Sequence, residues 1–198
     1  MEMVNPNYKS DRRNHKGRRF PPEVLTGSEV HSLLEACSRT TPTGVRNRAL
    51  ITTLYRSGLR VAEALSLLPK DIDFEEGTIR VLHGKGDKFR TVGIDAGAIA
   101  VIREWSKVRK TLEVGVGATL FCTRRGRRMN TSYMRQLLPK LAKLAGIEKR
   151  VHPHGLRHTH AAELAKENIP INVIQAQLGH SNAATTSRYL QHIAPTQL

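Results

Sequence analysis

The sequence is short of cysteine, of acidic residues and of long apolar runs. Cys37 and Cys122 are its only cysteines in 198 residues, far apart and in apolar surroundings. Neither a disulfide framework nor a zinc ribbon is indicated, and the pair suits a reducing compartment. No stretch approaches the ~18 consecutive apolar residues of a membrane span, and the N-terminus lacks the apolar core of a signal peptide. These absences lead to the expectation of a soluble, cytoplasmic protein with no membrane partner. No internal repeat or low-complexity tract is present. The glycines of Gly84-Lys85-Gly86 are not followed by Ser or Thr, so a Walker A nucleotide loop is excluded.

The acid deficit is the more informative shortage. Against 17 Asp and Glu stand 32 Lys and Arg, a net charge of +15 and a pI near 10.5, which names a polyanion as the expected partner without naming an activity. The length fits one domain, and a domain of this size buries roughly 70% of the surface its unfolded chain exposes, enough for a core without staples.

Residues 1–22 are polar and basic and close on Pro21-Pro22. They read as a flexible arm or linker remnant, with Arg12, Arg13, Arg18 and Arg19 as candidate phosphate contacts. Order is expected from Leu25, where Thr26 and Glu29 have capping-box spacing and Leu25 can staple onto Val30. Val30, Leu33, Leu34 and Cys37 then give one apolar face. A second helix is expected from about Gly44 to Arg56, with Val45, Ala49, Leu50 and Leu54 inward and Gly58 as its stop. A short helix restarts over 59–65 and carries Arg60. From Asp71 to Ile94 the period changes to two, which predicts a β-hairpin around 84–87 with a short strand at Ile72 before it.

Asp95 is expected to cap a helix to about Arg109, with Ile99, Ile102 and Trp105 or Ser106 inward. Leu120–Cys122 reads as a brief extended piece. Arg124, Arg125, Arg127 and Arg128 form a cationic loop, as fit for phosphate contact as for simple solvation. Asn130 or Thr131 opens a helix with Met134, Leu137, Leu138, Leu141 and Leu144 in register, which Pro139 is expected to kink. Residues 155–168 read as helical, Pro170 as N1 of the next helix, Gly179 as its end, and a last short helix as the carrier of Tyr189. The fold class expected is mainly α with one small antiparallel β-sheet.

Chemistry concentrates between His152 and Tyr189, where His154, Arg157, His180 and Tyr189 follow at spacings of 3, 23 and 9 residues. A phenol, a guanidinium and two imidazoles can together attack a phosphodiester, clamp its oxygens and move its protons. Each residue also has an ordinary reading: Tyr189 as a helical core residue, Arg60 and Arg157 as ion-pair partners, Lys85 as a solvated turn residue. The run His152, His154, His158 and His160 offers metal-like spacing, disfavoured by the Arg at 157 and the lack of a nearby Cys; no metal is expected.

Arg60 within Ser-Gly-Leu-Arg-Val-Ala-Glu-Ala-Leu, a lysine in a hairpin, His-x-x-Arg-His, Leu-Gly-His and a tyrosine nine residues later occur in order. In this combination the sequence resembles the catalytic domain of tyrosine recombinases, the phage integrase and Xer family, over about Pro22 to Tyr189. The resemblance implies the DNA breaking-rejoining fold and site-specific recombination or integration without ATP or metal, with no cofactor. It implies that Tyr189 is the nucleophile that forms a 3′-phosphotyrosyl link and releases a 5′-hydroxyl. Arg60 and Arg157 would meet the charge on the non-bridging oxygens. Lys85, with Lys88 as its competitor and otherwise a backbone contact, would protonate the leaving oxygen. His154 would act in proton transfer and His180 would donate to the scissile phosphate, with Glu63 and His158 as supports.

The partner implied is double-stranded DNA, bound by a tetramer that is monomeric off DNA. Two departures stand out. The N-terminal core-binding domain typical of the family is not in this sequence, and only nine residues follow Tyr189. Alternative readings are a non-cleaving DNA-binding regulator or decoy of the same fold, and relaxation of the type IB topoisomerase kind.

Overall fold

A computed structural model describes residues 23–82 and 89–179. The expectations for the arm of residues 1–22, for Lys85 and Lys88, and for His180, Tyr189 and the last helix lie outside the described residues. Within them the fold is mainly helical with one three-stranded antiparallel sheet, as the periodicities indicate.

Helix α1 (Gly27–Glu35) begins with the capping box that the sequence spells: Thr26 Oγ1 accepts the Glu29 N–H at 3.2 Å and Glu29 returns to the Thr26 N–H at 2.7 Å. Leu25 and Val30 are both buried in the same core. Helix α2 (Pro42–Ser57) starts two residues before the expected Gly44, because Thr41 caps it and Pro42 supplies a pre-set φ at N1. It is enclosed along nearly its whole length, packing on the two later helices α4 (Ala96–Thr111) and α6 (Pro153–Lys166). That is why Thr52, Thr53 and Asn47 are buried alongside Leu50, Ile51 and Leu54.

Helix α3 (Val61–Ser66) follows. The sheet then runs in the order β1 (Ile72–Asp73), β2 (Thr78–Val81), β3 (Arg90–Gly93), with Ile79 opposite Val92 and both inward. Asp95 caps α4, its Oδ1 accepting the Ala98 N–H at 3.1 Å. Trp105, at 1% exposure, and not Ser106 is the inward residue, and its indole N–H donates to the Leu120 carbonyl at 2.8 Å. This bond and the isolated pairing of Cys122 with Arg128 hold the arginine loop at the surface.

Helix α5 (Thr131–Leu144), capped by Asn130, runs through Pro139 without ending there. Leu144 is exposed, against expectation, since it lies on the last turn beyond the packed face. Cys37 and Cys122 are both buried free thiols. Helix α7 (Ile171–Leu178) has Pro170 as its N-cap, one position earlier than expected, and stops at Gly179 with φ 65°. It packs on α6 through a small satellite cluster of Ala161, Ala162, Ile174 and Leu178, and it also contacts β3. No described helix is long and apolar enough to cross a membrane.

Candidate active site

The site is assembled at two left-handed glycine turns. Gly58, at φ 64°, ends α2, and a Cβ there would stand 2.6 Å from Cδ2 of His160, so conformation and space both require glycine. The reversal sends Leu59 into the core and leaves Arg60 at the N-cap of α3, its side chain 37% exposed. Glu63, one turn later, reaches back. Its Oε2 accepts the Arg60 backbone N–H at 2.8 Å and its Oε1 accepts Arg60 Nη1 at 2.9 Å.

The same carboxylate receives a second arginine. Arg90, at the start of β3, donates Nη1 to Oε1 at 3.0 Å and Nη2 to Oε2 at 2.9 Å, a bidentate fork. Glu63 is buried, which by itself would raise its pKa, but the bonds from Arg90 and the Arg60 N–H hold it below the ordinary carboxylate value. Arg90 also closes the second turn: a Cβ on Gly179 would lie 2.7 Å from its Cζ. Across this cluster Arg60 Nη2 donates to the Gly179 carbonyl at a long 3.5 Å.

Helix α6 supplies the other half. His152 is its N-cap, Nδ1 accepting the Gly155 N–H at 2.6 Å, and Pro153 sits at N1. Arg157 is 1% exposed, and it donates Nη1 to the Gly58 carbonyl at 2.6 Å and Nη2 to the Leu178 carbonyl at 2.7 Å. One guanidinium thereby ties the turn that precedes Arg60 to the turn that precedes position 180.

His154 and His158 lie one turn apart with ring centroids 4.4 Å apart at 72°, edge to face. His154 is exposed yet lines a groove of about 440 Å³, where partial desolvation and then the charges of Arg157, His152 and Arg60 lower its pKa. For His158, burial and then His154, His152 and Arg157 push it down to about 4. The groove is lined by the apolar Leu59, Val61 and Val151 and by Arg60, Arg135, Arg150 and Arg157, with no carboxylate among its described lining residues. Such a hollow favours an anion and disfavours the charged form of the His154 imidazole.

Residues 23–194 match the family model described as the phage integrase family. The chain belongs to the phage integrase family. It is 35% identical over 179 residues to tyrosine recombinase XerC of Thermodesulfovibrio yellowstonii, a match that covers 88% of this chain and 59% of the relative. It is 34% identical to the XerC of Alcanivorax borkumensis, covering 97% and 64% respectively. Among solved structures it is similar to XerA recombinase, with TM-score 0.77, 33% identity, and coverage of 87% of this chain and 61% of that one. The XerH site-specific recombinase, solved with a palindromic difH substrate as a post-cleavage complex, matches at TM-score 0.75 and 29% identity, covering 89% of this chain and 51% of XerH. The chain thus spans between 51% and 64% of the length of these relatives.

Of the residues that the family resemblance singles out, the structure brings Arg60, Glu63, His154, Arg157 and His158 into one region. Arg124, Arg125, Arg127 and Arg128 are exposed on their own loop. Three residues were missed by sequence reasoning. Arg90 reads as a polar position of a strand, and only the fold shows that it faces Glu63. His152 reads as one of a histidine run, although a polar residue directly before Pro153 at a helix start was a usable capping signal. Gln177 donates to the carbonyls of Ser57 and Gly93 at 3.3 and 2.8 Å and accepts the Gly93 N–H at 3.1 Å, fastening α7 to β3; nothing local marks it.

Proposed function

We propose that this chain is a DNA strand-cleaving and strand-joining catalytic domain that performs site-specific recombination through a tyrosine nucleophile. The Tyr189 oxygen attacks the scissile phosphorus, the bond from phosphorus to the 5′-oxygen breaks, and the 5′-oxygen leaves with a proton from Lys85. Religation runs the same steps backward from a 5′-hydroxyl, so the bond energy is kept in the phosphotyrosyl ester. Arg60 and Arg157 stabilise the pentacoordinate transition state and His180 donates to it. His154 exchanges the phenol proton, a role for which its lowered pKa keeps it a neutral base near pH 7.

The observation that carries the reading is the convergence of two arginines on one short element. Arg60 and Arg157 both bond the Leu178–Gly179 carbonyls, so the cations hold the chain immediately before His180. Family membership and the XerH complex with its difH substrate support double-stranded DNA as substrate. Arg124, Arg125, Arg127 and Arg128 are proposed backbone contacts. Coupled strand exchange requires four protomers on DNA, and we place this domain in such a tetramer.

The test is a nicked suicide duplex carrying a cognate Xer-type site, from which the cleaved end diffuses away. Wild type is expected to give a covalent adduct resistant to denaturant, and Tyr189→Phe none. DNA binding without an adduct in wild type would favour the non-cleaving regulator. An adduct with plasmid relaxation but no recombinant product would favour the topoisomerase-like reading.

A further inference from the structure

The Glu63 carboxylate accepts four hydrogen bonds from two arginines, two from Arg60 and two from Arg90. The cluster therefore carries one surplus positive charge, and its partners differ in exposure. Glu63 is 5% exposed and the Arg90 side chain 15%, while Arg60 is 37% exposed and lines the groove. The fork of Arg90 occupies one lone-pair direction on each Glu63 oxygen. Arg60 is thereby restricted to a single side-chain bond on Oε1, through Nη1, and its Nη2 reaches toward the Gly179 carbonyl.

Two consequences follow from elementary electrostatics. With Arg90 present, the buried carboxylate is already neutralised by a residue outside the groove lining, so the Arg60 charge is not cancelled at the groove. Without Arg90, the remaining strong partner of the buried carboxylate among the described residues is Arg60. Glu63 would take it bidentate, and the pair would present neither net charge nor a directed guanidinium to an anion. The contact of Arg90 with the Gly179 turn adds a second coupling, because the same guanidinium that sets Arg60 also supports the residue before position 180.

We propose that Arg90 is a positioning residue for the cleavage reaction: by neutralising Glu63 without itself lining the groove, it keeps the charge of Arg60 uncompensated and aimed at the scissile phosphate. Arg90 does not touch the reacting atoms and acts through Glu63. The inference rests on the proposed cleavage activity. It differs from a packing role because it depends on the sign of the charge at position 90 and on the presence of a carboxylate at position 63.

The experiment measures single-turnover adduct formation on the nicked duplex at saturating protein, with DNA affinity by mobility shift and melting temperature alongside. Arg90→Gln keeps a hydrogen bond to Glu63 without the charge, and Arg90→Lys keeps the charge without the fork. We expect cleavage to fall on the order of 10²-fold in Arg90→Gln, the size associated with loss of one preorganised donor. It should stay within about tenfold of wild type in Arg90→Lys, with affinity changed only a few-fold in both. The double variant Glu63→Gln, Arg90→Gln restores the surplus charge and should cleave at least about tenfold faster than Arg90→Gln alone.

Equal rates in Arg90→Gln and Arg90→Lys, or no recovery in the double variant, overturn the proposal. Should Arg90→Gln fail to fold, the double variant and Arg90→Lys decide it: both are expected within about tenfold of wild type, and a larger loss in either overturns it. Absence of any adduct with wild type would instead count against the cleavage reading itself.

Discussion

Two charged clusters flank the C-terminal end of α2, and they are built with opposite balance. At the groove, two arginines, Arg60 and Arg90, share one carboxylate, Glu63. On the other side, two carboxylates share one arginine: Arg56 donates Nε to Asp95 at 2.6 Å and Nη1 to Glu163 at 3.3 Å, and the Tyr55 hydroxyl donates to Glu163 as well. Burial, and then Glu163, pushes the Tyr55 phenol up to about 12, so it stays a neutral donor. The first cluster has positive charge to spare for a ligand. The second carries one surplus negative charge, offers nothing to an anion, and joins α2, α6 and the cap of α4. The difference teaches that the sign of the charge left uncancelled decides whether a salt-bridge cluster can serve an anionic ligand or only the fold.

A matched pair of substitutions breaks this comparison most sharply. Arg60→Ala is expected to slow adduct formation by 10²- to 10³-fold, equivalent to ~3–4 kcal/mol of transition-state stabilisation, with little change in melting because the side chain is part-exposed. Arg56→Ala should do the reverse, costing about 1 kcal/mol of stability in denaturant titration and leaving cleavage within a few-fold. Equal cleavage defects in the two would erase the distinction between the clusters.

Arg157 lies between them, and its removal comes next in size. Arg157→Ala strands the buried Gly58 and Leu178 carbonyls, so unfolding free energy should fall by about 3 kcal/mol together with loss of cleavage. A stable, inactive Arg157→Ala protein would mean that the guanidinium serves chemistry alone.

Acid sensitivity is expected to be smaller than the effect of removing Arg157. Burial, with the charges of Arg56 and Arg157, pushes His160 down to about 4, and His158 is likewise at about 4, against an ordinary 6.5. Both imidazoles are therefore neutral in the folded state at pH 7, and the unfolded chain takes up protons first as pH falls. Stability should be full above about pH 6.5 and decline toward pH 4, by on the order of 1–3 kcal/mol in total. The carboxylates with lowered pKa, buried Glu63 and exposed Asp95, begin to lose their contribution only as pH falls through the ordinary carboxylate values, about 4.5 and 3.8. Denaturant midpoints at pH 7.5 and 4.5 measure it. His160→Gln should flatten the slope, and a slope unchanged by this substitution would locate the sensitivity elsewhere.

Much of this was legible before the structure because it depends on neighbours in sequence. Capping at Thr26, Asp95 and Asn130, the stops at Gly58 and Gly179, and the inward Ile79 and Val92 are contacts within a turn or a pleat. Long-range polar bonds were not legible. Arg46 is buried, bonding the Cys122 carbonyl at 3.1 Å and the Tyr133 hydroxyl at 2.8 Å across 76 and 87 residues, and in sequence it reads as one more surface cation of a basic protein. Arg48, two positions on, bonds Leu34 and Glu35 at the end of α1. Nothing in composition distinguishes these arginines from those of the exposed loop at 124–128.

The sequence by itself determined the family, the helical periods with their punctuation, the basic character and the order of candidate site residues, because each is a local pattern or a motif. The tertiary structure alone decided which of the arginines are spent inside and which face the groove. Charge is counted in sequence, but whether it is cancelled depends on which carboxylate lies within 3 Å, and that is fixed only when α2, α3, β3, α6 and α7 pack against one another.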